Sequence, residues 1–339
     1  MASIELAQST RYKQATVSRG FLYNYYYTPA RDNKLTILFV HGYPSTSVDW
    51  AGVVAVLQPE GYGVLVPDML GYGGTDKPTN PALYVANSGI VRDLLDLLDA
   101  ESVKQAVAIG HDWGSFFTSR LANLHAERFL GFAFVTMGYT APYPDVSLEE
   151  KVREASEKLG YSVFGYFPLL GYQEKLIEEH MDSFMDFTFS EDEWVLRYHL
   201  CPPGAGQAWL EADTRCARLS SPVATPQWFA TRQKLLASGM TPPACYYKVQ
   251  SSGLAQADEK AAAVPREAYY ILKPVFFAAC TKDGPTPPAI GDESLKAYVR
   301  GPVTRREYDT GHWIMLTHYE QLGKDLSAWL KELPGSIEE

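Results

Sequence analysis

Between residues 105 and 121 the apolar pattern of the chain changes its period within a few residues. Ala106, Val107, Ala108 and Ile109 form an unbroken apolar run, short enough for a buried strand, and Ser115, Phe116, Phe117 and Leu121 then follow at helical spacing. The stretch between them reads Gly-His-Asp-Trp-Gly, residues 110 to 114. A strand that becomes a helix over so short a turn brings two backbone segments together, and side chains flanking the central residue would collide. Gly110 and Gly114 leave that space empty, so the residue lifted at the top of the turn is Asp112. The pentapeptide alone proves little, since with glycine near 7% of residues roughly one chain in ten of this length would contain such a string. Its weight comes from the strand before it, the helix after it, and the groups elsewhere that could meet it.

The rest of the chain repeats the alternation. Residues 12 to 20 and 21 to 29 are extended, aromatic and β-branched, and suggest an opening antiparallel pair. Strands are then expected at 35–40 (LTILFV), 63–68 (GVLVPD), 105–110 (QAVAIG), 131–136 (GFAFVT), 274–280 (PVFFAAC) and 303–309 (VTRREYD). Helices fall between them: Ile90, Val91, Leu94, Leu95 and Leu98 mark one, and Leu316, Tyr319, Leu322, Leu326 and Leu330 mark the last. Such alternation predicts a mostly parallel eight-stranded sheet covered by helices on both faces. It stops between about 142 and 266, where helical patterns are broken by "CPPGAG" and "SGMTPPA" and no convincing strand occurs. The expected organisation is a core of residues 1–141 and 266–339 with a helical cap, 142–265, inserted between two core strands.

Composition narrows the function classes. The 339 residues carry 30 basic and 40 acidic side chains, a formal charge of −10 with no basic cluster, which repels nucleic acid and anionic membrane surfaces. No apolar run reaches the length of a membrane span. The four cysteines, at 201, 216, 245 and 280, have neither metal-ligand nor disulfide-framework spacing and read as free thiols in a reducing compartment. The opening "MASIELAQSTRYKQ" lacks an apolar stretch of signal-peptide length and the closing "SIEE" is not a peroxisomal signal, so a cytoplasmic location is expected.

In open α/β sheets ligands bind beyond the carboxyl ends of the strands, so reactive groups are sought just after strand runs. "HGYP" (41–44) follows one, "TKDG" brings Asp283 after another, and "TGHW" brings His312 after the last. Asp112, Asp283 and His312 then stand in the order nucleophile, acid, histidine that accompanies the strand-turn-helix motif G-x-S-x-G, with aspartate in place of serine. Asp309 is the alternative acid, although a loop aspartate also caps turns. Met137, Gly138 and Tyr139 offer no carboxylate after the 131–136 run.

With these residues placed, the chain resembles the soluble epoxide hydrolases of the α/β-hydrolase superfamily, fungal type. "HGYP", "GYGGTDKP" (71–78), "GHDWG", a helical lid, "TKDG" and "TGHW" occur in that family's order along essentially the whole chain. The resemblance implies the α/β-hydrolase fold and an aspartate nucleophile, Asp112, served by His312 and Asp283. It also implies an oxyanion hole from the backbone N–H groups of Tyr43 and Trp113, and a cis Tyr43–Pro44 bond. Two lid tyrosines would hold the epoxide oxygen: Tyr166 in "SVFGYFPLL" and Tyr247 in "PPACYYKVQ", with Tyr161, Tyr172 and Tyr246 as neighbouring alternatives. No cofactor and no metal are expected. The partners would be a small hydrophobic epoxide, suggested by Phe164, Phe167, Phe184, Trp194, Trp209 and Trp228 in the lid, and water, with the chain a monomer or homodimer. "GYGGTDKP" could suggest a phosphate loop, but it lacks the following Lys-Ser/Thr and the third glycine of the dinucleotide fingerprint.

Two other readings share these residues. A haloalkane dehalogenase has the same aspartate and needs two donors for a departing halide; Trp113 could be one, but the asparagine common after His-Gly is replaced here by Tyr43. A catalytically silent ligand-binding protein on the same fold would be expected to have lost part of the reactive set, which this chain retains.

Overall fold

The computed structural model describes residues 10–236 and 238–333. Eight strands form one sheet: β1 Tyr12–Thr16, β2 Leu22–Thr28, β3 Thr36–Val40, β4 Gly63–Pro67, β5 Ala106–His111, β6 Phe129–Val135, β7 Val275–Cys280 and β8 Val303–Tyr308. Their order is β1-β2-β4-β3-β5-β6-β7-β8. The opening pair is antiparallel, β2 is antiparallel to β4, and every other pairing is parallel. All eight expected strands are present, with ends shifted by a residue or two except in β1, which stops four residues short of the expected 12–20 stretch.

Burial explains why the sequence pattern differs along the sheet. β3, β4, β5 and β7 are buried at every position, which is why they read as unbroken apolar runs. The edge strands β1 and β8 carry Lys13, Arg305, Arg306 and Glu307, charges that discourage pairing with another chain. From β3 the chain crosses to β4 on one side and then to β5 on the other. That reversal opens a crevice at the carboxyl ends of β3 and β5, where "HGYP" and "GHDWG" begin.

Between β6 and β7 the chain leaves the sheet. Its helices there run from Leu148–Leu159 to Leu254–Ala262, and the β structure among the described residues of this insertion is the isolated bridge between Ser190 and Arg218. The first helix opens on a reciprocal Ser147–Glu150 capping box and closes on Gly160 at φ 73°. All four cysteines are free. Among the described residues no helix is long and apolar enough to cross a membrane. Residues 1–9 and the closing "SIEE", on which the expected location partly rests, lie outside the described residues.

A buried ion pair fastens the insertion to the crevice. Arg232, on the helix Pro226–Leu236, is 2% exposed and pairs with the fully buried Asp49. Its Nη1 also donates to the Pro44 carbonyl at 2.7 Å, and the guanidinium lies over the Trp228 ring at 4.4 Å. Removing one partner of such a pair strands the other charge, which typically costs 3–5 kcal/mol. We expect Arg232→Met to lower the urea midpoint by an amount equivalent to about 3–5 kcal/mol. Adding Asp49→Asn should recover most of the loss; if the single variant unfolds like the parent, the pair contributes no such tether.

Candidate active site

The turn after β5 has the close backbone approach that its sequence implies. A Cβ on Gly114 would lie 1.9 Å from the carbonyl oxygen of Val40, so the helix Trp113–Leu124 can pack against β3 only without a side chain there. Asp112 sits at φ 53° and ψ −123°, a conformation rare for a residue with a Cβ and held only where its surroundings over-determine it. The carboxylate thereby stands at the amino end of that helix, over the crevice. Gly42 permits the second approach, since a Cβ on it would lie 2.2 Å from Asp112 Oδ1.

Two backbone donors converge on this carboxylate. The Tyr43 N–H donates to Oδ1 at 2.8 Å, and the Trp113 N–H also hydrogen-bonds the side chain. The Tyr43–Pro44 peptide is cis.

On the other side lies His312. Its Nδ1 is 2.8 Å from Asp283 Oδ2, which leaves Nε2 facing Asp112 Oδ2 at 3.8 Å. Asp283 is held in turn by the Thr286 N–H at 3.0 Å and the Thr286 hydroxyl at 2.7 Å. Asp309, the alternative acid, instead points to solvent with its side chain 83% exposed and pairs with Lys282. His111, from the same turn as Asp112, donates through Nε2 to the His312 carbonyl at 2.9 Å.

Tyr166 and Tyr247 face each other above Asp112, their ring centroids 6.0 Å apart at 81°. The alternative tyrosines are engaged elsewhere: Tyr161 donates to the Gly284 carbonyl, Tyr246 donates to the Leu70 carbonyl, and Tyr172 is half exposed beside Ser251. Among the described residues the Tyr166 hydroxyl has no hydrogen-bond partner, and the Trp113 side chain hydrogen-bonds that of Tyr247.

These groups line one narrow cavity, completed by Pro44, Leu170, Phe184, Thr188, Leu196, Leu200, Pro285 and Trp313. The cavity volume is about 30 Å³, room for about two waters. A substrate must therefore displace the lining side chains or lift the insertion. Of the lid aromatics singled out in the sequence, only Phe184 lines the cavity. Trp209 packs on Phe187, Trp228 on Phe189 and Phe229, Trp194 on Tyr198, and Phe164 and Phe167 stand behind Tyr166 and Tyr247. Half of the apolar wall is leucine and proline, which sequence reasoning did not single out. Pro285, two residues beyond Asp283, could have been suspected from its position after a strand. The leucines sit on lid helices and turns without a local motif.

Burial sets the electrostatics. It raises the Asp112 pKa, and the opposing pull of His312 and the two N–H groups does not fully cancel it. Burial would lower the His312 pKa, but the charge and hydrogen bond of Asp283, helped by Asp112, outweigh it and the net shift is upward. Burial, reinforced by the nearby Asp112 charge, pushes both Tyr166 and Tyr247 well above an ordinary phenol. They remain neutral donors across physiological pH. Buried His111 is pushed well below the usual imidazole range and stays neutral. Among the described residues no group of His, Cys, Asp and Glu could hold a metal ion.

Comparison with known proteins agrees with this architecture. Residues 36–169 match the family model of the alpha/beta hydrolase fold. The structure superimposes on an epoxide hydrolase A from Mycobacterium thermoresistibile with a TM-score of 0.75 at 20% identity, covering 95% of this chain and 99% of that one. The chain has the α/β-hydrolase fold. Among sequences, this α/β-hydrolase-fold chain is similar to an epoxide hydrolase of Neurospora crassa, 26% identical over 312 residues, 88% of this chain and 86% of the relative. It is 34% identical to an epoxide hydrolase of Caballeronia sordidicola over 133 residues, a match spanning only 38% of either chain.

The raised pKa of Asp112 carries a stability consequence for this α/β-hydrolase-fold protein. A carboxyl whose pKa is raised on folding adds stability below its unfolded value and loses it as pH rises through the folded value. At alkaline pH the ionised, buried Asp112 is therefore a net cost. Asp112→Asn, which keeps the acceptor for the Tyr43 N–H, should melt higher than the parent at pH 9, by more than at pH 4. A variant that melts lower at pH 9 would contradict that balance.

Proposed function

We propose that this protein hydrolyses hydrophobic epoxides to vicinal diols through an ester of Asp112. The observation that carries this reading is the meeting of an aspartate at the turn after β5 with two neutral phenols on the insertion. A serine there would attack acyl groups, whereas a carboxylate suits a strained, alkylatable carbon.

In the first half, Asp112 Oδ2 attacks a ring carbon as the ring C–O bond breaks. The developing alkoxide takes a hydrogen bond and then the proton from Tyr166 or Tyr247. In the second half, His312 Nε2, its tautomer held by Asp283, removes a proton from water. The hydroxide adds to the Asp112 carboxyl carbon. The oxyanion that forms there lies in reach of the Tyr43 and Trp113 N–H groups, each of which typically contributes about 3 kcal/mol in such a role. Collapse releases the diol, whose leaving oxygen takes the proton from His312. The proton of the regenerated carboxyl returns to the tyrosinate, so that epoxide and water are the only reactants consumed. No cofactor or metal enters this scheme.

The relatives named above are called epoxide hydrolases, which supports the same substrate class. The engagement of the Trp113 side chain with Tyr247 speaks against its use as a halide donor. A silent binding protein would have no need of the paired Asp283 and His312. We further propose that residues 142–265 act as the cap over a core of 1–141 and 266–339, with the enzyme working in the cytoplasm as a monomer or homodimer.

Asp112→Ala should abolish diol formation while keeping the fold. With enzyme in excess over a model epoxide in heavy-oxygen water, the first diol released should carry light oxygen and the label should appear in Asp112. Label in that first diol instead would make His312 a base for direct attack by water and demote Asp112.

The tyrosines can be tested separately. Tyr166→Phe and Tyr247→Phe should each slow ester formation about ten-fold, and the double variant by roughly 10³-fold or more, because one phenol partly covers for the other. Full activity in the double variant would remove both from the mechanism.

A further inference from the structure

One carboxylate of the insertion holds the loops that carry both His312 and Asp283. Glu193 Oε1 accepts from the Thr310 hydroxyl at 2.6 Å and from the Gly311 N–H at 2.8 Å, the two residues immediately before His312. Its Oε2 lies 3.0 Å from Lys282 Nζ, and Lys282 immediately precedes Asp283. The Lys282 N–H donates to the Thr310 carbonyl, so the two loops are also joined to each other. A second contact lies close by, where Trp313 Nε1 donates to the Thr188 carbonyl at 2.6 Å. The same stretch of the insertion supplies Thr188, Leu196 and Leu200 to the cavity wall.

Position in the sheet says why such a tether matters here. Asp112 follows β5, an interior strand flanked by β3 and β6, and its turn is packed against β3. His312 follows β8, an edge strand with β7 as its one neighbour. Its loop therefore depends more on contacts from outside the sheet. Glu193 is about one-quarter exposed, and the acceptor bonds it makes are charge-assisted. Burial opposes its charge, but Thr310, Gly311 and Lys282 together hold its carboxyl below the ordinary value, so it is ionised at neutral pH.

We infer that Glu193 is a positioning residue for the second half of the reaction, aligning the His312–Asp283 pair with Asp112 from the insertion side. The inference rests on the proposed ester mechanism. It assigns Glu193 no contact with substrate and no proton transfer. Ester formation, which uses Asp112 and the two phenols, does not depend on it; ester hydrolysis, which uses His312, does. Because the tether comes from the insertion, lifting the insertion to admit a substrate also releases the histidine loop, and reseating it restores the alignment before water is activated.

Rapid-quench single turnovers of a terminal alkyl epoxide, read by intact-protein mass, separate the two halves. Glu193→Ala should slow ester decay about ten-fold while ester formation stays within about two-fold of the parent, a loss typical of a displaced catalytic group. Glu193→Gln keeps an oxygen acceptor for Thr310 and Gly311 and should recover most of the decay rate. A purely structural role would lower the melting temperature of Glu193→Ala without changing the ratio of the two rates, and that result would overturn the inference, as would unchanged decay. If Glu193→Ala does not fold, Thr310→Val, which removes the hydroxyl arm to Glu193 together with its contact to Thr317, carries the same test against a Thr317→Val control, with slower decay expected in Thr310→Val alone and unchanged decay, or equal slowing in the control, against it. Absence of any ester in the parent would instead reject the ester mechanism itself.

Discussion

The approach of the helix Trp113–Leu124 to β3 is the constraint from which the site follows. With 1.9 Å between a would-be Gly114 Cβ and the Val40 carbonyl oxygen, the chain can pass here only as backbone, and Asp112 is carried to a positive φ at the head of the helix. A longer or bulkier turn would drop the carboxylate away from the Tyr43 N–H, and the crevice at the β3–β5 reversal would hold no reactive group. Packing around the turn must offset the strain of such a conformation, of order 1–3 kcal/mol. The unbroken burial of β3 and β5 supplies a rigid base for it.

The two carboxylates of the site are compensated unequally: Asp283 is closely paired, whereas Asp112 is not. Asp112 is buried with the Tyr43 N–H on Oδ1, a further hydrogen bond from the Trp113 N–H, and a histidine nitrogen 3.8 Å from Oδ2, too far for a direct hydrogen bond. His312 is committed through Nδ1 to Asp283, so its other nitrogen is left facing Asp112 without a hydrogen bond to it. These are the features of a site that leaves a gap for a reacting molecule. They also explain why burial dominates the Asp112 pKa while Asp283 dominates the upward shift of His312: one carboxylate lacks a close partner and the other has one at 2.8 Å.

Much of this was legible in the sequence because the responsible signals are local. Strands buried on both faces appear as apolar runs, and the reactive groups follow them within a few residues, so all seven residues named from the sequence converge on one place. Two choices needed three dimensions. Asp283 and Asp309 both lie in loops beside His312, and only solvent exposure and pairing with Lys282 separate them. Tyr246 and Tyr247 are adjacent, and the helix turns one hydroxyl to the Leu70 carbonyl and the other to the cavity. The cavity wall was less legible. Of the six lid aromatics singled out, Phe184 alone reaches the wall, where leucines and prolines take much of the area, because most of the others pack on one another in the insertion's own core. Composition reports how apolar a segment is, not which side of it faces a ligand.

The least legible residues are those that join the insertion to the core. Glu193 lies in the run Ser-Glu-Asp-Glu, which reads as a solvated acidic turn, and Arg232 lies on a helix whose pattern gives no hint that its guanidinium is buried. Their partners are far away in sequence, so no periodicity or motif points to them. Yet each ends on a loop of the site: Arg232 on the Pro44 carbonyl beside the Tyr43 donor, Glu193 on the Gly311 N–H beside His312. The loops that carry the proposed oxyanion donor and the proposed catalytic histidine are thus gripped from the same insertion that presents Tyr166 and Tyr247. Seating of that insertion is then one condition shared by both loops, and a molecule admitted by lifting it, rather than by displacing the lining side chains, would break these contacts and allow them to re-form.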